Sequence, residues 1–191
     1  MANRSRRRVR HSGRMARGLT LFVALVEAHE KQTPVLEGAS SPSAEDWVRL
    51  ARLGQSTARQ LDQIAGRLAD TLQEMKLNQV GSLKSHRLLR EEIIDPIRAL
   101  GAGPLSAFRN QVQTVANSGQ SSAASTESAR RLHQEVVRMM KTILAQMSQW
   151  ESFVDVVNQV AEVIKIQQKV LKATEDARET RTKEVFDEDK P

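Results

Sequence analysis

The sequence predicts an all-α chain, an elongated helical bundle of antiparallel, coiled-coil-like helices, and three observations carry that prediction. Every periodic apolar stretch repeats with a period near 3.5 residues, and none alternates with the two-residue period of a strand. Aromatics make up only 3% of the 191 residues and tyrosine is absent, so the core has to be built from Leu, Val, Ile, Met and Ala. Helices pack well with that set, whereas sandwiches and barrels draw more on aromatic and β-branched strands. The third observation is Leu132–Thr174, LHQEVVRMMKTILAQMSQWESFVDVVNQVAEVIKIQQKVLKAT. Its apolar positions step by three and four through Met140, Ile143, Met147, Trp150, Val154, Val157, Ala161 and Ile164, then polar Gln168, then Leu171, a helical seam. A second stripe at Phe153, Val156, Val160, Val163 and Val170 widens the seam into a face, so this helix needs partners on more than one side.

Taken in order, the chain opens on a basic stretch. Residues 1–17 hold seven of the 29 basic residues (Arg4, Arg6, Arg7, Arg8, Arg10, Arg14, Arg17) and no acid, leaving 22 bases against 23 acids, net −1, in the remainder. The body is neutral, and any attraction to anionic partners belongs to these residues. They are too charged and too poor in apolar residues to fold, so a disordered tail is expected over 1–17. Four roles compete for it: a secretory signal leading into Leu19–Val26, an organelle transit peptide, an arm that binds the phosphates of nucleic acid or acidic lipid, and a solvated tail. The signal reading is weak, because the one cleavage-like site, Val26-Glu27-Ala28, is a poor one.

Residues 18–43 are expected to form a short amphipathic helix and a linker. Met15, Leu19, Phe22 and Val26 repeat at four, three and four, which predicts a helix to Lys31 that docks on the bundle. A membrane-surface helix is the rival, disfavoured by Glu27, His29 and Glu30 at its far end. TPVLEGASSPS, Thr33–Ser43, reads as linker by its Pro, Gly and Ser content.

The bundle proper is expected over 44–183. Ser43 with Asp46 three residues later forms a capping box, and Trp47, Leu50, Leu61, Ile64, Leu68, Leu72 and Met75 hold one face as far as Asn78. Gly54 and Gly66 interrupt that helix at about 1 kcal/mol each relative to alanine, unless a close helix contact requires them. After Asn78–Ser82, a helix over Leu83–Leu100 is carried by Leu89, Ile93, Ile97 and Leu100, and Asp95-Pro96 has to kink or restart it. Gly101–Gly103 stops it, and Pro104 opens another helix with Leu105, Phe108, Val112 and Val115 inward. Asn117–Thr126 reads as a flexible loop, and Glu127–Lys183 as one bent helix or two in series, since Ser152 and Asp155 form a second cap-like pair. Residues 184–191 form an acidic, disordered end. Trp47 and Trp150 are expected as core anchors, with Trp47–Met75 running antiparallel against the seam at Trp150.

Three stretches, WESFVDVVNQVAEVIKIQQKVLKAT, LDQIAGRLADTLQEMKLNQV and LREEIIDPIRAL, resemble the helix-rich C-terminal regions of large, uncharacterised planctomycetal proteins, over roughly residues 47–183. The resemblance implies helices and carries no activity, cofactor or catalytic residue.

Motifs of catalysis are missing. Without cysteine there is no disulfide, thiolate zinc site or thiol nucleophile. His11, His29, His86 and His133 are scattered, no Glu-x-x-His pair of the di-iron type occurs, and Gly101-Ala102-Gly103 lacks a phosphate-loop lysine. Glu91-Glu92 and the Asp187–Asp189 run read as solvated charge, His133 as a surface residue of its helix, and Met139, Met140 and Met147 as gap-filling core. The leading expectation is therefore a non-enzymatic structural or protein-interaction module without cofactor, metal or small-molecule substrate, whose seam (Met140, Ile143, Met147, Trp150, Val154, Val157, Ile164, Leu171) pairs within the chain, with a second copy, or with another helical protein. The alternative is a module that binds nucleic acid or an acidic membrane surface through the arginines of residues 1–17. No apolar run reaches the roughly 18 residues of a membrane span, and a soluble cytoplasmic location is favoured.

Overall fold

The structure, a computed structural model, describes the backbone of residues 2–38 and 41–188 and the side chains of residues 16–38, 41–150, 152 and 163–178. The described residues are helical and contain no strand: α1 (Ala2–Glu30), α2 (Thr33–Glu37), α3 (Ala44–Leu77), α4 (Leu83–Leu88), α5 (Asp95–Ala102), α6 (Pro104–Ser118) and α7 (Ala123–Glu188), with a π-helical turn, Leu89–Ile94, joining α4 to α5. The chain divides into two compact units, Met1–Glu151 and Ser152–Pro191.

The first unit is a four-helix bundle, and its directions follow from individual contacts. Along α1 and α3, Gly18 lies beside Leu68 while His29 bonds Thr57, so numbers rise on one helix as they fall on the other. Along α1 and α7, Gly18 lies beside Met147 and Glu30 pairs with Lys141; Glu37 of α2 then meets Gln134. Phe108 and Gln111 of α6 meet His133 and Ser125 of α7, again in opposite senses. Hence α1 and α6 run one way, α3 and α7 the other. α4, the π turn, α5 and α6 all pack on α3 and are successive pieces of the third leg. This corrects one expectation: α3 runs parallel to α7, and the antiparallel neighbours of the seam are α1 and α6. With four legs alternating in direction, the first and the third are forced antiparallel to the last.

Local chemistry explains most of the boundaries. The Ser43 hydroxyl accepts from the Asp46 amide at 3.2 Å and the Asp46 carboxylate accepts from the Ser43 amide at 3.0 Å, the expected capping box. Ser122 and Ser125 exchange similar bonds, each amide donating to the other's hydroxyl, and start α7 at Ala123. The expected ten-residue loop thereby shrinks to the few residues between Ser118 and Ala123, entered through Gly119, whose φ of 65° suits glycine. Ahead of Pro96, the Asp95 amide donates to the Arg90 carbonyl, five residues back. That wider turn makes room where a proline ring would strike an α-helical carbonyl, so the segment neither breaks nor restarts.

Other expectations are corrected. The backbone of α1 runs from Ala2 to Glu30, and the side chains of residues 1–15, most of the expected tail, lie outside the described residues. Thr33–Glu37, expected as linker, is the short helix α2, held by buried Leu36. α7 is one helix through Ser152, and it continues to Glu188 through part of the expected acidic tail. The compact bundle is not 44–183: it includes α1, because buried Phe22, Leu25 and Val26 supply one wall, and its boundary falls at Glu151.

The core otherwise follows the expected faces. All seven named α3 positions, all four of α6, and Leu89, Ile93, Ile97 and Leu100 are buried, as are Met140, Ile143, Met147 and Trp150 of the seam. Gly54 is explained by a close approach: a Cβ there would stand 2.8 Å from Arg109 Cγ. Gly66 faces open space. Gly66→Ala should therefore raise stability by about 1 kcal/mol in urea unfolding, since only helix propensity changes, and Gly54→Ala should give no such gain. Trp150→Ala should cost about 3–5 kcal/mol by the same measurement, whereas Leu171→Ala, which removes an exposed side chain, should stay within about 0.5 kcal/mol.

Candidate functional site

Two features rise above ordinary packing: a polar layer in the bundle core and an uncovered apolar face on the second half of α7.

The polar layer takes one residue from each leg of the bundle. His29 of α1 places Nε2 3.0 Å from Thr57 Oγ1 of α3. Its ring stacks on His133 of α7, with centroids 5.3 Å apart and planes 27° apart. Phe108 of α6 closes the layer, 5.3 Å from His133 and 6.3 Å from His29. His29, Thr57, Phe108 and His133 are all buried, which corrects the expectation that His133 is a surface residue. Both imidazoles keep one ring nitrogen, His29 Nδ1 and His133 Nε2, without a hydrogen-bond partner. An unpaired nitrogen tolerates burial better as a bare acceptor than as a charged N–H, so the neutral forms fit this core.

Burial, and secondarily the neighbouring His133, push His29 down to about 3 from its ordinary 6.5. Burial also lowers His133, against the opposing charge of Glu37 and a hydrogen bond to the His29 backbone. Since both folded-state values lie below the ordinary one, the stability they support is intact above about pH 6.5. For His29 it is lost as the pH falls from there toward 3, by up to about 1.4 kcal/mol per pH unit, and His133 acts in the same direction. Urea titrations at pH 7 and pH 4.5 should show this loss, and His29→Gln, which cannot titrate, should flatten the dependence.

These residues were within reach of the sequence pattern. His29 follows Val26 by three, continuing the stripe of Met15, Leu19, Phe22 and Val26. Thr57 lies between Leu50, Gly54 and Leu61 at steps of four, three and four, and His133 continues the seam backwards from Met140 through Val136. The signal was present, and residue polarity masked it.

The seam divides. Met140 and Met147 are fully covered, and Ile143 and Trp150 nearly so; Ile164 is 48% and Leu171 60% exposed. The side chains of Val154 and Val157 lie outside the described residues. Val163, Ile166 and Val170 are likewise exposed, so five large aliphatic residues fall within nine positions. On a helix they occupy one half of the circumference, and Lys165, Lys169 and Lys172 share the other.

Of the arginines named for anion binding, Arg4, Arg6, Arg7, Arg8, Arg10 and Arg14 have side chains outside the described residues. Arg17 is exposed and borders an open groove of about 670 Å³ between α1 and α3, lined also by Leu21, Ile64, Arg67, Asp70 and Glu74. Its bases and acids balance, so it favours neither anion nor cation. Among the described residues, no group of His, Asp or Glu is placed to hold a metal ion, and no helix is long and apolar enough to cross a membrane. Comparison with protein-family models, with curated proteins and with solved structures finds no match.

Proposed function

We propose that the chain is a non-enzymatic helical interaction module whose docking surface is the Val163–Leu171 face of α7. One observation carries this reading: Val163, Ile164, Ile166, Val170 and Leu171 are 48–60% exposed on one side of a regular helix. Isolated exposed apolar residues such as Val48 or Leu83 are ordinary, but a contiguous aliphatic face backed by charge is the pattern of a helix that binds something. The polar layer supports the same reading from the other side. Its imidazoles are enclosed by four helices, which places them in the economy of the core rather than at a surface a substrate reaches.

A photoreactive residue at position 171, in cells producing the chain, should form adducts with a polypeptide, and Ile164→Asp should abolish them. The same probe at position 169, on the opposite side of the helix, should form none. Absence of any adduct from position 171 would remove this function.

A further inference from the structure

The polar layer is a costly way to fill a core. His29 and His133 occupy the apolar registers of α1 and α7, where leucine would pack without the penalty of burying an imidazole. Their rings stack across those two helices with centroids 5.3 Å apart, and each keeps one nitrogen without a partner. We propose that the pair is a proton-operated latch, whose protonation parts α1 and α2 from α7 while α3 and α6 stay packed on each other. The device is separate from the docking face of α7 and does not depend on it.

Geometry decides where the latch opens. A protonated His29 still donates from Nε2 to Thr57 Oγ1, so its bond to α3 survives. His133 hydrogen-bonds the His29 backbone through its other nitrogen, a bond that protonation does not oppose. What protonation adds is an N–H at His29 Nδ1 and another at His133 Nε2, both buried without an acceptor, and two like charges in stacked rings. The strain therefore falls between α1 and α7, and parting them admits water to both groups. Few charges face the pair. α2 brings Glu37, which favours charge on His133 and is bonded to Gln134. α1 brings Glu30 and α7 brings Lys141, paired with each other at 2.6 Å, and Arg130 of α7 is held by Glu127 at 2.6 Å. α3 contributes the neutral Thr57 hydroxyl, and α6 the Phe108 ring, with Arg109 beside Gly54. The charge of Glu37 bears on His133, whereas the one charge that bears on His29 is that of His133 itself. Rim pairs of this exposed kind hold little. Because burial lowers both imidazoles in the closed bundle and water restores them in the open one, acid favours the open form.

Because the chain has no cysteine, pairs of introduced thiols carry spin labels without background. Glu27→Cys with Arg131→Cys reports α1 against α7, and Arg59→Cys with Thr114→Cys reports α3 against α6; all four positions are exposed. In the full chain at pH 7, pulsed dipolar spectroscopy should give one narrow distance for each pair. At pH 4.5 the first pair should gain a longer distance and the second should not. The ratio of long to short populations should rise about tenfold between pH 5.5 and pH 4.5 from His29 alone. His29→Gln with His133→Gln should keep the first pair narrow at both pH values. A first pair that broadens only where the second does would mean that acid unfolds the bundle whole, and would overturn the latch. A long population that persists in the double variant would overturn it as well. If the double variant does not fold, the two label pairs in the chain that keeps both histidines decide: a ratio that stays flat with pH overturns the proposal, and a tenfold rise with the second pair unchanged supports it.

Discussion

The arrangement of the bundle turns on the contact between α1 and α7. Without α1, the faces of α3, α6 and α7 would enclose a core open on one side, and Phe22, Leu25 and Val26 would have nothing to cover. The two helices meet through apolar side chains at one level and through stacked imidazoles at another, with Lys141–Glu30 and Gln134–Glu37 at the rim. Rim pairs of this kind are solvated and contribute little. Enclosure of the aliphatic residues does the greater part, and it requires that the two histidines between them stay neutral. That neutrality depends on proton activity, so closure of the bundle is more secure at neutral than at acid pH.

Along α7 one pattern meets two environments. Near Met140 and Trp150 the three-four repeat is enclosed by neighbouring helices, whereas at Ile164 and Leu171 the same repeat is exposed. Periodicity records that a side of a helix is apolar; it does not record who covers it.

Helix class, the inward faces and the Ser43–Asp46 cap were legible in the sequence because each depends on residues within one or two turns of each other. Direction was not. Whether α3 or α1 faces the seam depends on how many legs the bundle has, and the helical character of α1 and the closing role of Phe22 settle that only in three dimensions. Loops were overestimated at Thr33–Ser43 and Asn117–Thr126, because small polar residues that cap a helix look the same as those that connect two. The polar layer was missed for a related reason: His29, Thr57 and His133 sit on the apolar registers of their own helices, and a hydrophobicity count drops them.

The π-helical turn at Leu89–Ile94 also bears on how this chain tolerates change in length. A π turn holds one residue more than the α-helical path it replaces, so the segment carries the footprint of an inserted residue. Ile93 and Ile94, adjacent in this turn, are both buried. Removing one residue here would restore regular α-helix ahead of Pro96 and leave the downstream faces in place, because Leu89 and Ile97 would then be seven residues apart, two helical turns. A one-residue deletion elsewhere in this leg would instead turn the residues beyond it by about 100°. The irregularity is thus a register adjuster, and a single deletion in this leg is absorbed where it removes that extra residue.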